Sequence, residues 1–130
     1  MKVKNIKTGE FYPTLKSWWE GHNFPVLDIN FLPEEVFVCY NGYIAIYAIC
    51  FYHTDSGLCW VGFPVSNPFV GKETKEDGFE KIMTAVSEYA KQVGYSYIFT
   101  TSPIKYVQDI LLETGFNLGD SNVNHYLKIL

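Results

Sequence analysis

Apolar residues along this chain follow two rhythms, and the switches between them lay out a series of elements. Met1 to Ile6 alternates weakly and predicts a first strand. From Thr14 to His22 the spacing turns helical, with Leu15, Trp18 and Trp19 as its apolar members, until Pro25 stops it. An irregular stretch to Leu32 and Pro33 leads into a strand over Val36 to Tyr40. Asn41-Gly42 predicts a two-residue type I′ turn, because both central positions of that turn need positive φ. The run Tyr43 to His53 completes the hairpin. It is apolar on both faces, with Tyr43, Ala45, Tyr47, Ile49 and Phe51 on one and Ile44, Ile46, Ala48, Cys50 and Tyr52 on the other. Such a strand belongs in the middle of a covered sheet.

Thr54-Asp55-Ser56-Gly57 reads as a turn into a further strand, Leu58 to Val65. Pro64 has no N–H to give the ladder, so pairing must fail or bulge near that strand's end. Asp77 to Val93 predicts an amphipathic helix whose apolar stripe is Phe79, Ile82, Met83, Val86, Ala90 and Val93, with Gly94 as its C-terminal stop. Tyr95 to Thr100 predicts a short strand. Ser102 as N-cap and Pro103 at the first helical position open a last helix carrying Ile104, Val107, Ile110 and Leu111, which Gly115 ends. Phe116 to Leu118, a Gly-Asp-Ser-Asn turn and Val123 to Leu130 predict a final hairpin. The expected order is β-α-β-β-β-α-β-α-β-β. It is an α/β chain with a mixed sheet of about six to seven strands, helices on both faces, and a parallel βαβ unit around the long helix.

Composition narrows the class. The 130 residues, without repeats or low-complexity linkers, predict a single domain over 1–130. An apolar share of 48 % against 18 % charged residues excludes intrinsic disorder. No apolar run reaches the ~20 residues of a membrane span, and MKVKNIKTGE lacks a signal-peptide core, so a cytoplasmic protein is expected. Ten Lys, no Arg and fourteen acidic residues argue against nucleic acid as the ligand, since phosphate contacts demand a basic face. Cys39, Cys50 and Cys59 all fall in strand-like runs and read as buried thiols. Their odd number and spacing, with His22, His53 and His125 far apart, suit neither a disulfide framework nor a metal site.

The element order resembles the GCN5-related N-acetyltransferase fold over nearly the whole chain. Ala90-Lys91-Gln92-Val93-Gly94-Tyr95 is similar to the family's A-x-x-x-G at the end of its central helix, and Leu112-Glu113-Thr114-Gly115-Phe116 to its "GF" entry into the last hairpin. Ser17-Trp18-Trp19, His22-Asn23-Phe24-Pro25, Leu32-Pro33 and Val65-Ser66-Asn67-Pro68 resemble small phage-encoded members. The resemblance implies acetyl-CoA as cofactor, held where the fourth and fifth strands splay, with Phe63, Val65 and Asn67 at the acetyl end. The family's phosphate pattern [QR]-x-x-G-x-[GA] falls on Thr74-Lys75-Glu76-Asp77-Gly78-Phe79, where Thr74, Asp77 and Phe79 depart from it. The resemblance thus implies Lys72, Thr74, Lys75 and Gly78 around the diphosphate. Thr74-x-x-Asp77 also reads as a capping box, which would occupy the helix-start donors.

Candidate catalytic groups follow from residue type and place. Glu35, in the pair Glu34-Glu35 before the second strand, and Asp55 are candidate bases for deprotonating an amine, with Asp28 a further one. The family's tyrosine acid falls on Leu111, which cannot donate a proton, and Tyr106 is the substitute. His125 alternates with Val123, Leu127 and Ile129 and is expected on an apolar face, while His53 ends its strand beside a turn. A helix cannot bury adjacent Trp18 and Trp19 equally, so one is expected in the core and the other in a substrate or partner groove. Two readings follow: an acetyl-CoA-dependent N-acetyltransferase acting on an amine of a host protein or small molecule, or a fold kept as a non-catalytic binding module. The last strand, blunted by Lys128, is an edge available to a second copy, which leaves the oligomeric state open.

Overall fold

The computed structural model describes residues Met1–Leu130. Five strands form one sheet in the order β1-β2-β3-β4-β5: β1 (Lys2–Lys7), β2 (Glu35–Asn41), β3 (Ile44–Tyr52), β4 (Leu58–Ser66) and β5 (Tyr97–Phe99). β1 to β4 pair antiparallel, and β4 pairs parallel with β5. The doubly apolar β3 is the central strand, as its pattern requires. Three helices complete the fold: α1 (Thr8–Gly21), α2 (Lys72–Gln92) and α3 (Lys105–Glu113).

Each face of the sheet has its own core. Val36, Val38, Ala48, Cys50 and Val65 point toward α1 and bury Phe11, Leu15, Trp18 and Trp19. Phe37, Cys39, Tyr47, Ile49, Phe51 and Val61 point to the other side and meet Phe79, Ile82, Met83 and Val86 of α2 with Val107 and Ile110 of α3. Both tryptophans are buried, Trp18 against Phe11 and Trp19 against Tyr12 in edge-on contacts, so neither is left exposed as the helix geometry alone suggests. The three cysteines are free and buried.

Several boundaries depart from expectation, each for a physical reason. α1 starts at Thr8 and carries Pro13 within it, where the ring removes the N–H that would otherwise bond to Gly9 O. α2 starts at Lys72 rather than Asp77, because Lys72 to Glu76 has no apolar stripe to announce it. Thr74 and Asp77 lie inside α2, so no capping box forms there. At α3 the cap is Ile104, whose N–H is accepted by Ser102 Oγ (3.1 Å); Ser102 and Pro103 precede the helix instead of opening it. The β2–β3 loop is Gly42-Tyr43, with Gly42 alone at positive φ (62°), because a register shift at Cys39/Tyr40 moves the turn one residue.

The largest departure is at the C-terminus. The expected hairpin of Phe116–Leu118 and Val123–Leu130 does not form, and the sheet has five strands instead of six to seven. Residues 117–130 are exposed, including Tyr126, Ile129, Leu130 and His125. Alternation gives a strand its face only where a partner covers that face, and here none does.

Candidate active site

β4 carries the irregularity that its proline announces. Cys50 stands opposite Gly62, yet Ala48 stands opposite Val65, so Phe63 and Pro64 together oppose Ile49 in a β-bulge. Phe63 sits at φ 54°, a left-handed conformation that a bulky residue adopts at a cost of about 1 kcal/mol or more. The bulge turns its ring onto the α1 side, edge-on to Trp60 (5.6 Å) and Tyr52 (6.3 Å). Gly62 makes room for this: a Cβ there would come within 2.6 Å of the Trp60 indole.

β4 and β5 are paired only over Leu58–Trp60 and Tyr97–Phe99. At the next step the Thr100 hydroxyl donates to Val61 O (2.8 Å), and beyond it the two strands part. The free edge of β4 therefore begins at the bulge. On the α1 side the bulge borders an open apolar hollow of about 190 Å³, lined by Trp19, Phe24, Pro25, Leu27, Phe63 and Pro64.

His22, the C-cap of α1, stands at the rim of this region. Its ring stacks on Phe24 (5.0 Å between centroids), and its Nε2 donates to Ser66 O (2.8 Å) with Ser66 Oγ at 3.2 Å. A carbonyl oxygen only accepts, so Nε2 carries the hydrogen and Nδ1 of the neutral ring holds a lone pair.

The β4–α2 connection is fixed by Asn67. Its Nδ2 donates to Ala45 O (3.0 Å), its Oδ1 accepts from Phe69 N–H (2.9 Å), and its own N–H donates to Ile46 O (2.8 Å). Asn67 is thus bonded to backbone rather than presented to a cleft, and Val65 is buried opposite Ala48. α2 begins at Gly71 with no side-chain cap. The first backbone N–H groups of an α-helix have no partner within it, which makes an uncapped start an anion site by hydrogen bonding and dipole alike. Lys72 is exposed at this start, and Lys75 Nζ lies over the Tyr106 ring (4.7 Å). Thr74 is half-buried one turn in. Gly78 lies deeper in α2, where a Cβ would meet Ile46 Cγ2 at 2.9 Å. Its lack of a side chain serves the close packing of α2 on β3.

Tyr106 stands at the start of α3 with its hydroxyl 2.7 Å from that of Tyr47, a buried β3 residue opposite Ser66. Burial pushes the Tyr106 phenol up, the Tyr47 bond opposes this and the Glu76 charge adds to it. Burial raises the Tyr47 phenol far above its usual range, aided by Tyr106. Both are proton-carrying hydroxyls at neutral pH.

Glu35 and Asp55 are not brought to the bulge. Glu35 alternates with Val36 and so faces α2, where Oε1 accepts from His53 Nε2 (2.6 Å) and Oε2 from Asn5 Nδ2 (2.7 Å). Burial raises its carboxyl, but bonds to Tyr89, Asn5 and His53 and the His53 charge outweigh this and hold it below its usual value. Asp55 is exposed in the β3–β4 turn, at the opposite end of β4 from the bulge. His22 and Tyr47 are the functional candidates the sequence does not single out. One looks like a helix end and the other like core, and only the fold sets them near Ser66.

No family model matches the sequence, and no curated protein matches it. Solved structures match its fold. The chain has the fold of GCN5-related N-acetyltransferases. It is similar to a probable acetyltransferase (9% identity, TM-score 0.75, covering 100% of this chain and 99% of that one). It is also similar to an aminoglycoside acetyltransferase from an uncultured soil metagenomic sample, solved with sisomicin (16%, TM-score 0.69, 99% and 96%). A Mycobacterium tuberculosis protein in complex with CoA shares the fold too (11%, TM-score 0.67, 95% and 76%). No helix of the chain is long and apolar enough to cross a membrane.

Proposed function

We propose that this chain is an acetyl-CoA-dependent N-acetyltransferase acting on an amine. The observation that carries the reading is the Phe63–Pro64 bulge, placed where β5 leaves β4 and a few residues before an uncapped helix start. That combination offers unpaired backbone donors at two points along one path. The CoA-bound and acetyltransferase neighbours of the same fold support it.

The residues present fit CoA at its charged end. The unpartnered N–H groups of Lys72, Glu73 and Thr74 would hold the diphosphate, with the Lys72 and Lys75 ammonium groups as point charges. Glu73, Glu76 and Asp77 weaken that field without filling the donors. Acetyl-CoA supplies an acetyl thioester, whose carbonyl carbon is the electrophile. Val61 O points toward β5, since Thr100 bonds it there. By strand alternation the Phe63 N–H, two residues on, faces the same open edge. Phe63 N–H is the donor that polarises the thioester carbonyl, as an oxyanion hole does. His22 Nδ1 takes the proton of the attacking amine, its ring held by Ser66 O. Tyr106, backed by the Tyr47 hydroxyl, returns a proton to the departing sulfur. Glu35 and Asp55 stand away from this path, and Asn67 and Gly78 position α2 rather than touch substrate.

Calorimetric titration with acetyl-CoA and CoA is the direct test. Saturable binding of both, lost when the charge at Lys72 and Lys75 is removed, is expected. No heat at millimolar ligand by a folded protein would overturn the reading and leave the fold as a binding module.

A further inference from the structure

The cavity against the bulge has a chemistry of its own. Its walls are Trp19, Phe24, Pro25, Leu27, Phe63 and Pro64, without a charged side chain among them. The chain does carry a strongly acidic groove, but Glu76, Asp77, Glu80, Asp109 and Glu113 line it on the other side of the sheet, between α2 and α3. A polycationic acceptor seated at the bulge would find no carboxylate to pair with. His22 stands at the rim, stacked on Phe24, and the Tyr12 hydroxyl donates to the carbonyl of Leu27 in the wall (2.7 Å).

We propose that the acceptor is a primary amine joined by a short linker to a compact aromatic ring, with the ring in this cavity and the amine at its His22 rim. The inference rests on the acetyl-transfer reading and names the substrate class for the same site. Size admits one ring: an enclosed apolar cavity of about 150 Å³ takes up benzene, and this hollow, open on one side, is about 190 Å³. Aromatic walls favour an aromatic guest through edge-to-face contacts.

Phe63 points the same way. A left-handed φ is relieved by glycine, yet here a phenylalanine holds it at 54°. Glycine would keep the backbone donor and lose only the ring. What the strain secures is therefore the ring on the α1 side, beside Trp60 and in the cavity wall. The reaction balances in its simplest form. The amine nitrogen bonds to the acetyl carbon, the carbon–sulfur bond breaks with its electron pair on sulfur, and the amine's proton passes to His22 and on to solvent. The sulfur is protonated from Tyr106, which solvent recharges.

The test uses the full chain and 2-phenylethylamine, with ethanolamine and sisomicin as comparison amines. Thiol release from acetyl-CoA should show kcat/KM at least ~30-fold higher for 2-phenylethylamine than for either, the order of one buried ring's contribution. Without acetyl-CoA, 2-phenylethylamine should change the Trp19 emission saturably, and the change should vanish in Trp19→Phe. Phe24→Ala, at an exposed residue, should raise KM for 2-phenylethylamine about tenfold while leaving acetyl-CoA affinity unaltered, and Phe63→Gly, which relieves strain, should raise the same KM about tenfold. Acetyl-CoA binding with preference for ethanolamine or sisomicin overturns the aromatic acceptor and leaves the acetyl-transfer reading standing. Absent acetyl-CoA binding overturns that reading itself. Saturable 2-phenylethylamine binding unaffected by Phe24→Ala and Phe63→Gly overturns the assignment to this cavity.

Discussion

Two regions of this molecule look like sites, and they lie on opposite faces of the sheet. On the α2 side, a carboxylate, an imidazole and phenols converge: Glu35 on His53, and His53 Nδ1 2.9 Å from the Tyr95 hydroxyl, which also accepts from Thr54 N–H (3.0 Å). On the α1 side there is a bulge, a strained phenylalanine, a histidine on a carbonyl and an apolar hollow. By residue type the first is the stronger catalytic candidate. By bonding it is the weaker one. Glu35 Oε1 bonds His53, Glu35 Oε2 bonds Asn5 and the second His53 nitrogen bonds the Tyr95 hydroxyl, so the cluster ties β1, β2, the end of β3 and the segment after α2 together. The bulge is the reverse, with a broken ladder, an unused imidazole nitrogen and room beside it. A site is recognised by what its groups leave unpaired.

The sharpest way to break this contrast is to remove one histidine from each region. His22→Gln keeps a donor for Ser66 O but loses the base. It should lower kcat/KM for amine acetylation about 10²-fold or more. His53→Gln should leave the rate within about twofold. Equal losses in both variants would mean that the two regions act together.

A backbone test comes next. Gly62→Ala places a Cβ 2.6 Å from the Trp60 ring, which cannot withdraw without disturbing Phe63 and Tyr52. Overpacking of this kind costs about 2 kcal/mol, and thermal unfolding should fall by several degrees. Activity should drop further than stability explains, because the bulge itself shifts. A variant with unchanged Tm and rate would show the Trp60–Gly62 contact to be unimportant.

How far these regions could be read in advance differs for reasons the residues make plain. Pro64 disclosed the bulge because a missing N–H is a chemical fact that no context repairs. The central place of β3 was legible in its two apolar faces. The start of α2 was hidden because Lys72 to Glu76 carries no apolar period to announce it. Val123 to Leu130 misled in the opposite sense: it has strand alternation but no covering surface. The pairing of Tyr47 with Tyr106 and of His22 with Ser66 joins residues 59 and 44 positions apart, which no local spacing encodes.

The α2-side cluster should respond to acid. The Glu35 carboxyl lies below its usual 4.5 in the folded chain, so the unfolded chain binds that proton first. Its contribution is therefore fully present above about 4.5 and is lost as pH falls through the lower folded value. Because His53 and Glu35 are partly exposed, that contribution is under about 1 kcal/mol. Urea midpoints of wild type and Glu35→Gln should differ at pH 7 and converge as pH falls through the lowered folded value. A gap that persists in acid would assign the loss to packing rather than to charge.

The smallest expected effect concerns the charges around the start of α2. Lys72 and Glu73 are neighbours there with opposite signs, and both are exposed. A helix start attracts anions, and a first-turn carboxylate uses part of that attraction for the helix itself. Lys72→Gln should weaken CoA binding about threefold with no change in Tm. Glu73→Gln should strengthen it by a similar factor while slightly destabilising α2, since the helix loses a favourable end charge as the ligand loses a competitor. Both effects should shrink as ionic strength rises, because these charges lie in water. The pair of opposite signs separates a diphosphate at the helix start from one held elsewhere on the chain. If both substitutions move CoA affinity in the same direction, or neither responds to salt, the anion does not sit at Gly71–Thr74.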